Sequence, residues 1–191
     1  ADILSSQWRS DAMVNNVIEE LEEEGRRSLQ LMPGAAELGT WLHSHGIPMA
    51  LVTRNSAATV SHFMENVWPS NLPALSLAIS RDDGFPPKPD PAALLAISRS
   101  WGVEPSHALL MVGDSPANDI RFGKAAGVRT ALLDTGRRNT EGGTTEGAEY
   151  VVDNLVEIAR RVWESYDISS PLNDPEIHTG KPPPEPRGPS H

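Results

Sequence analysis

Leu109 to Ile120 reads LLMVGDSPANDI. An apolar run stops at Gly113-Asp114-Ser115, and a second carboxylate, Asp119, follows within the first turns of a helix that Pro116 starts. A short, almost wholly apolar run bounded by turn residues is the pattern of a strand buried on both faces in a parallel sheet. The spacing predicts a strand over Ala108 to Val112 and a helix from about Pro116 to Ala126, closed by Gly127.

The same alternation extends in both directions. Upstream, Pro33 opens a helix that Gly46 ends, and the apolar run Pro48 to Val52 (PMALV) forms the next strand, with Thr53 at its carboxyl end. A helix from about Ser56 to Val67, a strand from Leu75 to Ile79 and a helix from about Pro91 to Trp101 follow, the last closed by Gly102. Downstream come strands at Arg129 to Leu133 and Tyr150 to Val152, then a helix from Leu155 to Tyr166. Strands alternating with helices imply an α/β fold with a doubly wound parallel sheet, whose chemistry sits at the carboxyl ends of the strands.

Three segments stand outside the alternation. Asp11 to Leu31 carries Met13, Val14, Val17, Ile18 and Leu21 at helical spacing, opposite a run of glutamates from Glu19 to Glu24, and reads as an amphipathic helix with a solvated acidic face. Arg137 to Gly147 is polar and glycine-rich and reads as a surface loop. From Asp167 to His191 the chain is proline-rich and poor in apolar residues, so it is expected to be disordered, with a polyproline II ligand as the other reading.

Composition narrows the function classes. The 191 residues are 38% hydrophobic, enough for one domain with a real core. A formal net charge of -10 opposes attraction to nucleic acid or an anionic membrane surface. With no cysteine there is no disulfide, thiolate zinc site or cysteine nucleophile. No apolar run approaches the ~20 residues that span a bilayer, and the first residues lack a secretory signal pattern, so the chain reads as soluble and intracellular. It begins on Ala1 without an initiator methionine, from which we expect something upstream to have been removed.

Three polar constellations end or follow strands. In LVTRNS, the Thr53 hydroxyl and the amides of Arg54, Asn55 and Ser56 lead into a helix and offer a seat for phosphate; the same residues also serve as plain helix caps. In Pro87-Lys88-Pro89-Asp90-Pro91 a lysine lies between two prolines that restrict its backbone, giving either an aimed cation for a phosphoryl oxygen or a solvated surface lysine. In the Gly-Asp-Ser segment, Asp114 and Asp119 are oxygen ligands of the kind Mg²⁺ takes alongside substrate phosphate and water.

Taken in this order, the three constellations resemble motifs two, three and four of the haloacid dehalogenase superfamily, over about Leu31 to Tyr166. SLQLMPGAAELGTWLHSHGIPMALVTRNS followed by RDDGFPPKPDP is similar to the phosphoglycolate phosphatase-like branch, including a plant group of haloacid dehalogenase-like hydrolases. The resemblance implies a Mg²⁺-dependent phosphomonoester hydrolase acting on a small phosphorylated metabolite, phosphoglycolate among them. It makes residues 1–30 the later part of a helical cap, 31–166 the hydrolase core and 167–191 a tail. Thr53 and Lys88 are then the catalytic groups, with Arg54 and Asn55 helping to hold phosphate. Asp114 and Asp119 become the metal ligands, although Asn118 occupies the position some relatives give to the second acid.

Motif one departs from that pattern. It is an apolar strand ending in Asp-x-Asp, which supplies the nucleophile and the acid that protonates the leaving group, and no Asp-x-Asp occurs in this chain. Asp82-Asp83-Gly84 has no residue between its acids, and Asp134-Thr135-Gly136 has no second acid. In the family this strand lies between those bearing Thr53 and Asp114, so the sheet is expected to lack its central strand at a steep cost in unpaired buried backbone. The chain is therefore expected to be an incomplete product of a phosphatase and inactive by itself. Two further readings remain: a pseudoenzyme that serves as a binding scaffold, and a phosphoryl-receiver domain, whose acids would precede its threonine.

Overall fold

The computed structural model describes residues 17–72, 74–105 and 108–165. Helix α1 (residues 17–27) is followed by α2 (Ala35–Ser44), β1 (Ala50–Val52) and α3 (Ala57–His62), which continues as a π-helical segment over Phe63–Val67. Then come β2 (Leu77–Ile79), α4 (Ala92–Trp101), β3 (Leu110–Gly113) and a π-helical turn, Pro116–Ile120, that runs into α5 (Arg121–Ala125). The chain ends in β4 (Arg129–Leu133), α6 (Arg138–Glu141), β5 (Tyr150–Val152) and α7 (Leu155–Ser165).

Every strand pair is parallel, as βαβ connections require, and the pairing falls into two sheets. β1 pairs with β2 in one, and β3, β4 and β5 pair in that order in the other. Among the described residues no strand lies between β1 and β3, the place where the central strand of a doubly wound sheet belongs.

One core nevertheless spans the break. Ala50 and Val52 of β1, Leu77 of β2 and Met111 of β3 pack against Leu94, Ile97, Leu109 and Phe122, so α4 and α5 cover this face of both sheets. On the other face, Leu110 and Val112 of β3 and Ala131 and Leu133 of β4 meet Trp41 of α2 and Ile158, Ala159 and Val162 of α7. Successive β3 side chains thus alternate between the two layers, the period of two that a strand imposes. At the centre of the second sheet β4 is buried from Thr130 onward, while β1 and β3 are only half-buried throughout. That corrects the expectation that β1 and β3 are buried on both faces. Among the described residues no strand pairs with their inner edges.

Close packing explains one glycine and backbone conformation another. A Cβ on Gly123 of α5 would lie 2.5 Å from Thr130 Cγ2 and 2.9 Å from Met111 Cβ, so this helix sits flush on β3 and β4. Gly102 closes α4 in the left-handed region at φ 66°, the backbone geometry its position predicts.

The acidic helix differs from its sequence reading. Within residues 17–27 the expected apolar face is exposed, with Val17 at 49%, Ile18 at 47% and Leu21 at 63%. Met13 and Val14, and the tail from Asp167, lie outside the described residues. Arg137 to Gly147 also differs, since it contains α6. Both carboxylate oxygens of Asp134 hold that short helix, accepting the amide N–H groups of Asn139 (3.0 Å) and Thr140 (2.8 Å) and the Thr140 hydroxyl (2.6 Å). No described helix is long and apolar enough to cross a membrane.

Candidate active site

β1 and β3 deliver Thr53 and Asp114 at their carboxyl ends, and the loop before α4 delivers Lys88. Thr53 donates its backbone N–H to the Ile79 carbonyl (2.9 Å), which extends the β1–β2 ladder by one bond and fixes the threonine at the strand tip. Its Oγ1 accepts the Asn55 N–H at 3.1 Å, leaving the hydroxyl proton for another acceptor. Ser56 Oγ caps α3 by accepting the Thr59 N–H at 3.4 Å, as the capping alternative for this turn requires. The N–H groups of Arg54 and Ser56 take no partner among the described residues, so the turn keeps open donors beside the Thr53 hydroxyl. The Arg54 and Asn55 side chains are exposed.

Lys88 is the most constrained of the expected groups. Its turn is closed by the Asp90 N–H donating to the Pro87 carbonyl (3.1 Å), and Asp90 Oδ1 in turn accepts the Ala92 N–H at the start of α4 (3.0 Å). The ammonium donates to Asp119 Oδ1 at 2.9 Å, with the lysine and aspartate side chains 11% and 10% exposed. It also lies 5.5 Å from the centre of the fully buried Phe122 ring. The surface-lysine reading fails here, because proline turn, carboxylate and ring together hold the cation in place.

Asp119 was expected to ligate metal, and in the structure both its oxygens have protein partners. Oδ1 takes Lys88, and Oδ2 accepts the Ser115 N–H at 3.1 Å. Gly113 makes this possible: a Cβ there would fall 2.3 Å from Asp119 Cβ and 2.4 Å from its Cγ. Asn118 turns the other way, its Nδ2 donating to Ser115 Oγ at 2.9 Å, so Asp119 is the acid that meets Lys88. Asp114, by contrast, is exposed and bonds to no described residue.

The residues therefore fit a divalent cation in part. Mg²⁺ is commonly held by one or two carboxylates, with phosphate and waters completing six oxygens. Asp114 is one such free carboxylate, and among the described residues no group of three His, Asp or Glu side chains forms a protein-only cage.

A loop that the motifs did not single out completes the arrangement. Asp82 Oδ2 accepts the Ala57 N–H at 2.7 Å, capping α3 from 25 residues away, and the Arg81 N–H donates to the Asn55 carbonyl at 3.0 Å. Asp83 Oδ2 braces the loop by accepting the Ser80 N–H and hydroxyl at 2.7 and 2.6 Å, and these bonds hold its carboxyl below the usual aspartate range. The readable signal was Asp82-Asp83-Gly84 itself, a turn-forming run directly after a strand.

Comparison with known proteins agrees with this geometry. Residues 2–133 match the family model of haloacid dehalogenase-like hydrolases. A haloacid dehalogenase-like hydrolase domain-containing protein of Arabidopsis thaliana is 35% identical over 156 residues, covering 80% of this chain and 61% of that protein. Phosphoglycolate phosphatase 1 of Pseudomonas aeruginosa is 36% identical over 143 residues, covering 74% and 51%. Among solved structures, a family IA haloacid dehalogenase hydrolase from Entamoeba histolytica superposes with a TM-score of 0.68 at 23% identity, over 83% of this chain and 71% of that one. The chain thus spans between half and about three-fifths of the length of these two curated relatives. The family match, the parallel α/β layers and the order of Thr53, Lys88 and Asp114 along the chain agree: the chain belongs to the haloacid dehalogenase-like hydrolases.

Proposed function

We propose that this chain carries the phosphate-holding half of a phosphomonoester hydrolase for a small phosphorylated metabolite. The observation that carries the reading is the Lys88–Asp119 pair. A nearly buried ammonium is fixed by one carboxylate beside the carboxyl end of β3, with Asp114 left free on the same turn. In this reading the Thr53 hydroxyl and the open amides of Arg54 and Ser56 donate to phosphoryl oxygens, with the Arg54 and Asn55 side chains beside them. Lys88 offsets their charge, and Asp119 orients Lys88 and stands next to the metal site rather than at its centre.

Asp114 would hold Mg²⁺, which when bound polarises the phosphoryl group and offsets charge developing on it. Phosphoglycolate is the substrate suggested by the relatives' names. Because no Asp-x-Asp is present, neither a nucleophile nor an acid for the leaving group is supplied, and we infer that the chain by itself does not turn over. In domain terms, residues 1–30 belong to the cap, 31–166 to the core and 167–191 to a tail.

The test is a titration of ¹⁵N-labelled chain with inorganic phosphate. The Thr53, Arg54 and Ser56 amides are expected to shift with saturation, and Lys88→Met to weaken the effect by about tenfold, the loss of one charge-assisted bond of ~1.5 kcal/mol. Phosphate that perturbs none of these amides would remove the reading.

The open inner edges of β1 and β3 favour a second reading, a scaffold whose sheet another polypeptide completes. Purification with a stoichiometric strand-donating partner, together with no phosphate response, would select it.

A further inference from the structure

Helix α1 is joined to the phosphate turn by one loop, and the joint is electrostatic. Arg81 Nη2 donates to Glu22 Oε1 of α1 at 2.7 Å, across 59 residues of sequence. Among the described residues it is the one ion pair that joins α1 to the rest of the chain, the others on that helix being internal to it. Apolar packing does little to fix α1, since Val17, Ile18 and Leu21 are exposed. The same arginine donates its backbone N–H to the Asn55 carbonyl, and its neighbour Asp82 accepts the Ala57 N–H, so the loop grips the turn on both sides of Ser56.

We propose that Arg81 is a positioning residue that couples the placement of α1 to the phosphate donors after Thr53. The inference rests on the phosphate-seat reading above. Arg81 has a second carboxylate within reach, its Nε standing 3.7 Å from Asp82 Oδ1. With Glu22 in place the guanidinium is shared between Glu22 and Asp82 Oδ1, while Asp82 Oδ2 holds the Ala57 N–H. When α1 moves away, the guanidinium is left to Asp82 alone, closes on its Oδ1, draws the carboxylate away from the Ala57 N–H and loosens the start of α3. A displacement of α1 is thereby felt at the Asn55–Ala57 turn, so phosphate is held best when α1 is seated.

The test compares wild type with Glu22→Gln, Arg81→Gln and the double variant in the ¹⁵N titration with inorganic phosphate, well below the melting temperature. Glu22→Gln alters a partly exposed helix position and is expected to leave the fold intact, which circular dichroism checks. Each single variant should shift the Ala57 amide before phosphate is added and weaken phosphate binding about 1.5- to 5-fold, the range of one exposed ion pair. The double variant should be no weaker than the single ones, because both remove the same link. Unchanged phosphate affinity in the single variants, or losses that multiply in the double variant, would overturn the coupling even if the melting temperature falls. If wild type binds no phosphate at this turn, the seat reading and the coupling both fail; if it binds and the variants match it, only the coupling does.

Discussion

Replacing Asp119 with asparagine isolates the pair on which the site reading stands. The change removes the negative charge facing Lys88 and keeps a side-chain oxygen that can still accept the Ser115 N–H. Both side chains are about nine-tenths buried, so the ammonium left behind is poorly hydrated. Breaking a buried pair from one side costs about 3–5 kcal/mol, whereas an exposed pair contributes about 0.2–1 kcal/mol. The contact with Phe122 is present before and after and does not change the comparison. With a urea m-value of about 2 kcal/mol/M, the midpoint of Asp119→Asn should fall by about 1.5–2.5 M. Removing both charges, in Lys88→Met with Asp119→Asn, should recover most of that loss, because no unpaired charge is then buried. Equilibrium unfolding in urea with matched slopes is the assay. A midpoint shift under about 0.5 M for the single variant, or a double variant as unstable as the single, would refute the claim that the pair is desolvated and fixed.

Three further outcomes follow from the geometry. Gly113→Ala places a methyl where Asp119 sits, 2.3 Å from its Cβ, and should destabilise the chain by at least ~2–3 kcal/mol in the same assay while displacing the Lys88 partner. Phe122→Ala empties a fully buried position of the core shared by β1 and β3 and should cost about 3–5 kcal/mol; a loss under 1 kcal/mol would mean that the two sheets do not share that core. Asp134, held at about 2 chiefly by the Thr140 hydroxyl and then by the Asn139 and Thr140 amides, favours the folded state above its ordinary value near ~3.9. That contribution is lost as the pH falls through about 2, so the stability gap between wild type and Asp134→Asn should narrow from about pH 4 downward.

Much of the fold was legible because its signals are local. Apolar runs punctuated by glycine and proline announced each strand, and the strands at Arg129–Leu133 and Tyr150–Val152 fall where the runs do. The other three strands are shorter or displaced by a residue or two, since pairing rather than hydrophobicity sets their ends. The π-helical turns at Phe63–Val67 and Pro116–Ile120 were read as ordinary helix, because side-chain periodicity hardly separates the two over five residues. At the site, residue types and order were legible, and partnerships were not. Nothing local says that Asp119 turns to Lys88, 31 residues away, or that Asp82 reaches back to cap α3. α6 was missed because its cap, Asp134, lies five and six residues before the amides it holds, outside the usual capping spacing.

The most direct measurement is steady-state hydrolysis of an aryl phosphate by this chain with Mg²⁺ present. The expected result is no turnover above the uncatalysed rate, since in the proposed reading Thr53 and Lys88 hold the phosphoryl group and Asp114 the metal, but no Asp-x-Asp is present to attack it. Turnover that disappears in Asp114→Asn would contradict that, and would mean that another residue of this chain serves as the nucleophile.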